Sequence, residues 1–326
     1  VSSRRFDGAQ SVAARPGSAL IVVGNFDGVH RGHRIVLSSA VERANERGLS
    51  PLVLTFDPHP AVVLRGVKSA VLTTMDRRIE LIARIDPALS VVVEPFTPEL
   101  SRLSARAFAE ELLVRDLGAA VVVVGENFRF GRGREGDVAM LAELGTELGF
   151  AARPHVLEGD DNGRFSSTRV RTAISAGDVL EAERVLGRPH AISGTVASGD
   201  RRGRTLGFPT ANLAAVPELL PPHGVYACLV DRLDADGGAS RLGLAVTNIG
   251  TRPTFEGGLA VEAHLLDFSG DLYGARLRLH LVARLREERA FEGREALVEQ
   301  IQRDVAAARQ ALASRARDPD AGGAWH

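Results

Sequence analysis

The sequence predicts an α/β region built on a parallel sheet, followed by an all-β region closed by one helix. Three observations predict it. Up to about residue 187, short runs that are apolar throughout alternate with amphipathic helical patterns. From there to about residue 286 only strand-like runs occur, separated by turn residues. A last repeat then places Leu297, Ile301, Val305, Ala308 and Leu312 at helical spacing. A length of 326 residues favours two domains. The break is expected at Leu186-Gly187-Arg188-Pro189, giving domains 1–187 and 188–326.

In the first region strands are expected at 19–23, 52–56, 90–94 and 119–124, and helices at 33–47, 76–85, 105–117, 137–148 and 168–176. Strands without a polar face imply a sheet covered on both sides. Such sheets bind ligands at the carboxyl ends of their strands. A helix over 179–186 closes the region, because Gly187 can cap it and Pro189 cannot continue it. The second region offers strands at 191–196, 225–230, 242–247, 260–268 and 277–285, with turns at 198–200 and 236–238. That pattern fits a small antiparallel barrel or sandwich, on which the final helix packs. The Gly-rich tail after about residue 314 is expected to be disordered.

A formal charge of −1 provides no field to draw in nucleic acid or an acidic membrane. No apolar run is long enough to span a bilayer, and residues 1–18 lack the apolar core of a signal peptide. The single cysteine, Cys228, cannot form an internal disulfide; its apolar run suggests a buried thiol. A cytoplasmic protein acting on small molecules is expected, with homo-oligomerisation left open.

The most informative stretch is GNFDGVHRGH, residues 24–33, between the first strand and the first helix. A glycine-rich turn entering a helix gathers backbone N–H groups and the positive helix end at one point. His30 and His33 flank Gly32 there; at a helix start neither ring needs to enter the core, and both can donate to phosphate oxygens where charge builds up. The alternative is two surface histidines on a loop. No Gly-Lys-Ser/Thr follows, so this is not a Walker loop. A second glycine-rich turn, GENFRFGRG at 125–133, follows the fourth strand and carries Asn127 and Phe128. SSTRVR at 166–171 is either an ordinary helix start or a second anion anchor through Arg169 and Arg171. FDPHP at 56–60 is a rigid loop near the same edge.

In the second region, GRTLGFPTAN (203–212) presents the Thr210 hydroxyl and the Asn212 amide on a turn stiffened by Pro209. Two neutral oxygen ligands suit Mg²⁺ that keeps other positions for water and phosphate; a hairpin turn with polar tips is the alternative. Glu262 shares a strand face with His264, opposite Val261 and Ala263. It is either a general base for an attacking alcohol or a solvent-facing strand residue. The loop 248–255, NIGTRPTF, could cover a planar ligand.

The ordered set GNFDGVHRGH, TFDPHP, VVGENFRFGRGREGD and SSTRVR resembles the adenylyltransferase module of bacterial bifunctional FAD synthetases, part of the nucleotidyltransferase superfamily marked by His-x-Gly-His. GRTLGFPTAN, GVYA, NIGTRPTF, VEAHLLDF and DLYG resemble riboflavin kinases, which that family joins to the module in one chain. The resemblance spans about residues 19–313. It implies a nucleotidyltransferase-type Rossmann-like sheet, then a six-stranded Greek-key barrel with a C-terminal helix. It further implies that riboflavin is phosphorylated to FMN, and FMN adenylylated to FAD with release of pyrophosphate, ATP being co-substrate of both steps.

By the resemblance His30 and His33 stabilise charge on the ATP phosphates, within a cradle of Gly24, Phe26, Asp27 and Gly32. Asn127, with Phe128, lies where FMN and ATP meet, and Ser166, Thr168 and Arg171 hold the triphosphate. In the barrel Gly203, Thr205 and Gly207 border the nucleotide, Thr210 and Asn212 bind Mg-ATP, and Glu262 is the general base. Asn248, Arg252, Arg286, Glu288 and Phe291 border the flavin. Two other readings stand beside this one: a transferase acting on a different phosphate ester, and a flavin-binding sensor without catalysis.

Overall fold

The computed structural model describes residues 4–12, 14–66, 70–156, 158–197, 207–235, 237–251 and 259–316. The chain forms two compact units, Val1–Ser69 with Met75–Ser166, and Ala70–Thr74 with Ser167–His326.

The first unit contains β1 (Arg5–Asp7), β2 (Ala19–Val23), α1 (Arg31–Arg47), β3 (Ser50–Asp57), α2 (Pro60–Arg65), α3 (Met75–Ala83), β4 (Ser90–Pro95), α4 (Pro98–Arg102), α5 (Ala105–Ala107), β5 (Ala119–Gly125), α6 (Val138–Leu148), β6 (Ala151–His155) and the short pair β7 (Gly159–Asp160) and β8 (Gly163–Arg164). Six strands form a sheet in the order β1-β4-β3-β2-β5-β6, and every pairing in it is parallel. Alternate residues of each central strand feed two separate cores. Leu20 and Val22 face α1 and α3 with Val36, Leu37, Ala40, Leu81 and Ile82. Ile21 and Val23 face the opposite layer with Phe108, Leu112, Leu113 and Leu141. This two-sided burial is why the strands lack a polar face.

Three differences from expectation have local causes. The segment 105–117 is not one regular α-helix, because α5 runs into a π-helix at Phe108–Asp116. The wider turn brings Phe108, Ala109, Leu112 and Leu113 onto the sheet. β1 and β6 were not expected. β1 has one apolar residue, Phe6, and β6 contains Arg153 and Pro154, which an edge strand tolerates.

From β2 the chain builds outward through β3 and β4, then returns to place β5 on the other side of β2. The β2/β5 boundary is therefore the topological switch point, beyond which sheets of this kind bind their ligands at the carboxyl ends of the strands.

The second unit begins with α7 (Ser167–Ala176) and α8 (Val179–Leu186). By packing these helices lie with the barrel, since Val179 joins its core. Six strands close the barrel: β9 (His190–Ala197), β10 (Ala211–Ala214), β11 (Gly224–Leu233), β12 (Ala239–Thr251), β13 (Leu259–Leu266) and β14 (Arg276–Arg286). The neighbour order β10-β13-β12-β11-β14-β9 places β14 beside β11, the first strand of the meander β11-β12-β13, which is a Greek key. β10 stands where a turn is expected, because it is only four residues long and starts two residues after Pro209.

Tyr226, Cys228, Val230, Leu277, Leu279 and Leu281 fill the interior. Burial pushes the Cys228 thiol up to about 12. The outer residues Val225, Ala227, Leu229, Val246 and Val282 pack against Ala308 and Leu312 of α9 (Arg294–Ala316). The helix thus continues two residues past 314, and the rest of the tail lies outside the described residues.

Candidate active sites

In the first unit the GNFDGVHRGH turn leaves β2 at the switch point. Phe26, Gly28 and Val29 have φ of 51°, 87° and 41°. Positive φ at a β-branched residue is strained, and such strain concentrates at functional sites. The turn delivers His30 to the N-cap of α1, where its Nδ1 accepts the His33 N–H at 3.3 Å. A neutral His30 therefore carries its proton on Nε2. The two rings stack with centroids 3.6 Å apart, and Phe26 meets His33 edge-on at 5.1 Å. A Cβ on Gly32 would lie 3.3 Å from both the His30 ring and Phe165 Cβ, so this glycine is the floor of the pair. His33 is half-buried and His30 is only 4% exposed, so the fold takes the His30 ring inside although a helix start does not require it. Wedging between Gly32 and His33 buries it.

Asp27 is also buried, with its carboxylate 3.4 Å from the buried guanidinium of Arg78 on α3. Desolvation lowers the Arg78 pKa, while Asp27 and Asp57 pull it back up. In the sequence Arg78 is indistinguishable from an ordinary polar position of an amphipathic helix, since its partner lies 51 positions away. The FDPHP loop joins the same edge, because the Asn25 side-chain amide meets His59 Nε2 at 3.0 Å and Thr55 Oγ1 donates to the Asn25 carbonyl.

The GENFRFGRG turn follows β5, the neighbour of β2 across the switch point. Asn127 is exposed there, and Phe128 is half-buried, stacked on Phe130 at 5.5 Å. The end of this turn is tied to the segment before α5: the Arg132 backbone N–H donates to the Leu103 carbonyl, and Glu135 accepts the Ala105 N–H. A cavity of about 320 Å³ between α1 and β6 is lined by Ile35, Ser39, Pro154 and His155, and by none of the expected residues. Ser166 ends the first unit. Thr168, exposed, and Arg171, bonded to the Ala70 carbonyl at 2.7 Å, belong to the second.

In the barrel the site is assembled by register. Asn212 on β10 pairs with Glu262 on β13, which pairs with Asn248 on β12. Asn248 pairs with Val225, and Val225 with Arg286. Directly paired residues share a face, so this row crosses five strands on the outside of the barrel. Glu262 and His264 do face opposite to the buried Val261 and Ala263. A cavity of about 340 Å³ over the row is lined by Thr210, Asn248, Glu262, Arg286, Glu288 and Phe291, together with Asp304 of α9. A second cavity of about 280 Å³ is lined by Thr210, Asn212 and the turn 268–273. Thr210 is thus common to both walls. Gly203, Thr205 and Arg252 lie outside the described residues, and Gly207 is exposed with φ of 86°.

Arg286 is held by the buried Asp304, with guanidinium–carboxylate distances of 2.8–3.0 Å. Gln300 donates to the same carboxylate at 2.7 Å and accepts from Arg289. Both arginines lie over the Phe291 ring, at 5.6 and 4.9 Å. Glu288 closes over Gly250, where a Cβ would come within 2.3 Å of its carboxylate. Asp304 and Gln300, spaced i, i+4 on a helix, read in sequence only as polar-face residues.

Thr210 and Asn212 offer neutral oxygens, and no cluster of three His, Cys, Asp or Glu side chains suited to a metal occurs among the described residues. This donor set fits Mg²⁺ carried in with a triphosphate rather than an all-protein cage.

Family models match both units: FAD synthetase over residues 13–169 and riboflavin kinase over 186–312. The chain is 39% identical over 295 residues to the bifunctional riboflavin kinase/FMN adenylyltransferase of Escherichia coli (strain K12), covering 89% of this chain and 92% of that protein. It is 40% identical over 296 residues to the enzyme of the same name from Pseudomonas fluorescens, covering 90% and 93%. A crystal structure named as a macrolide-efflux protein from Streptococcus pneumoniae superposes with a TM-score of 0.81 at 26% identity, covering 95% of this chain and 99% of that one. That name belongs to the Streptococcus protein; among the described residues here no helix is long and apolar enough to cross a membrane. At 35–40% identity over most of both lengths, the chain belongs to the bifunctional riboflavin kinase/FMN adenylyltransferase family.

Proposed function

We propose that the barrel phosphorylates riboflavin to FMN with ATP, and that the parallel-sheet unit adenylylates FMN to FAD with a second ATP. The functional division is placed at 187/188, so that the first half transfers AMP and the second transfers phosphate. The observation that carries the reading is Thr210, which belongs to the wall of two cavities at once. One holds Asn212, as a nucleotide site needs; the other holds Glu262 and the aromatic Phe291, as a flavin site needs.

In the kinase step the Glu262 carboxylate takes the proton of the terminal ribityl hydroxyl as that oxygen attacks the γ-phosphorus, and ADP departs. Asn248, Arg252, Arg286, Glu288 and Phe291 border the flavin, and Gly203, Thr205 and Gly207 the nucleotide. Thr210 and Asn212 would hold Mg²⁺, which when bound neutralises charge on the phosphates. In the adenylylation step the FMN phosphate attacks the α-phosphorus in line and pyrophosphate leaves, with no covalent enzyme intermediate. His30 and His33 donate to the oxygens where charge grows, beside the α1 N-terminus. Gly24, Phe26, Asp27 and Gly32 form the cradle, with Asp27 acting through the backbone of the turn because its carboxylate is turned to Arg78. Asn127 and Phe128 face FMN. Ser166, Thr168 and Arg171 are assigned to the triphosphate by motif order. A reducing cytosol suits the single, buried Cys228.

The test is a product time course with riboflavin and Mg-ATP. FMN is expected first and FAD after it. Riboflavin that stays unchanged while bound would reduce the protein to a flavin-binding module. FMN without FAD would leave the parallel-sheet unit with a different phosphate ester as substrate.

A further inference from the structure

We infer that His264 is a positioning residue for phosphoryl transfer, holding the Phe208-Pro209-Thr210 turn so that the Thr210 hydroxyl is aimed at the nucleotide; this rests on the proposed kinase reading of the barrel. The contact is direct. His264 Nδ1 lies 2.9 Å from the Pro209 carbonyl oxygen. A carbonyl only accepts, so the ring must carry a proton on Nδ1. The Phe208 ring meets His264 edge-on at 5.4 Å, so both residues ahead of Thr210 rest on this one side chain.

The ladder explains why a side chain is used here. β10 starts at Ala211, whose register partner is Ala263, and Asn212 pairs with Glu262. Extended by one residue, the register sets Thr210 opposite His264, but the ladder has already ended. Proline has no N–H, so the turn cannot join the ladder through residue 209. The Nδ1–H of His264 takes the place of the missing backbone pairing. It does so two residues along the strand from Glu262, on the same face and in the same cavity wall. One strand thus offers the base and, beside it, fixes the hydroxyl on which the nucleotide is to sit.

The geometry of the donor makes a sharp test. The side-chain amide nitrogen of asparagine can occupy the place of Nδ1, whereas that of glutamine reaches the place of Nε2. Three variants are compared, His264→Asn, His264→Gln and His264→Leu, with steady-state kinase kinetics for Mg-ATP and for riboflavin. Thermal melts of the same samples report on folding of the barrel, and conversion of added FMN to FAD on that of the other unit. Loss of one such hydrogen bond is expected to raise the Mg-ATP KM or lower kcat by about tenfold in the Leu and Gln variants. The Asn variant should stay within about threefold of the parent, since its bond is retained. The riboflavin KM should hardly move. If Asn is as impaired as Gln, or if only the riboflavin KM changes, the assignment is overturned. If the Leu variant does not fold, the Asn-against-Gln contrast still decides. A parent protein that forms no FMN would refute the kinase reading itself, whereas an active parent with three indifferent variants would refute only the role of His264.

Discussion

The two units place their chemistry on the backbone in opposite ways. In the parallel-sheet unit the candidate groups stand on turns at strand ends. His30, Gly32 and His33 lie within four residues of one another, and the strained turn and the helix N-terminus set their geometry. In the barrel they stand on strand faces, and hydrogen-bond register brings Asn212, Glu262, Asn248 and Arg286 into one row from across some 75 residues of chain. A turn-borne site is sensitive to Cβ atoms and φ angles. A register-borne site is sensitive to what pins the strands and the helix laid over them.

The largest expected effects separate the units. Glu262→Ala should slow FMN formation by about 10²–10⁴-fold and leave conversion of added FMN to FAD intact, read by chromatography of products. His33→Ala should do the reverse, with adenylyl transfer down about 10²–10³-fold. Next, Asp304→Ala removes the carboxylate that Arg286 and Gln300 share beside α9, leaving Arg286 its bond to the Glu287 carbonyl. It should destabilise the barrel by about 1–3 kcal/mol in denaturant unfolding, more than loss of an exposed ion pair. An unchanged midpoint would mean that α9 is not anchored through this pair.

Gly32→Ala sharpens the comparison from the other side. The residue is helical, so alanine should hold or raise stability slightly, yet its Cβ presses on His30 and Phe165. Adenylyl transfer is expected to fall about tenfold through misplacement, with kinase activity unchanged. Equal loss of both activities would show that the histidine pair is not served locally.

The smallest effect is in pH. Glu218 is buried against Ser193, whose N–H and hydroxyl both donate to it, and desolvation raises its pKa above the usual 4.5. A carboxyl with a raised folded pKa binds its proton more tightly when folded. Its contribution is therefore most favourable below the unfolded pKa and declines as pH rises through the folded one. Glu218→Gln should gain stability relative to the parent as pH rises above the usual carboxylate range, followed by thermal melts. A difference that is flat or reversed over that rise would contradict the assigned shift.

The parallel sheet was legible because its strands are buried on both faces, which leaves contiguous apolar runs. Its candidate site was legible because turn chemistry is local, and GNFDGVHRGH is one unbroken string. Arg78 was not, because its pairing with Asp27 spans 51 positions and a helix polar face gives no sign of a buried partner. In the barrel the alternation around Glu262 was readable, but its neighbours across the sheet were not. β10 is only four residues long and follows a proline, so Asn212 read as the tip of a turn. The Arg286–Asp304–Gln300–Arg289 network and the His264–Pro209 contact exist only once strand register and helix placement are known.

The most direct test of separate, locally assembled sites is to mix two crippled chains. His33→Ala and Glu262→Ala are each incubated with riboflavin and Mg-ATP, alone and together. Alone, the first should accumulate FMN and the second should leave riboflavin untouched; together they should make FAD. If either folded variant has lost both activities, so that the mixture makes no FAD, the two chemistries are not divided between the units.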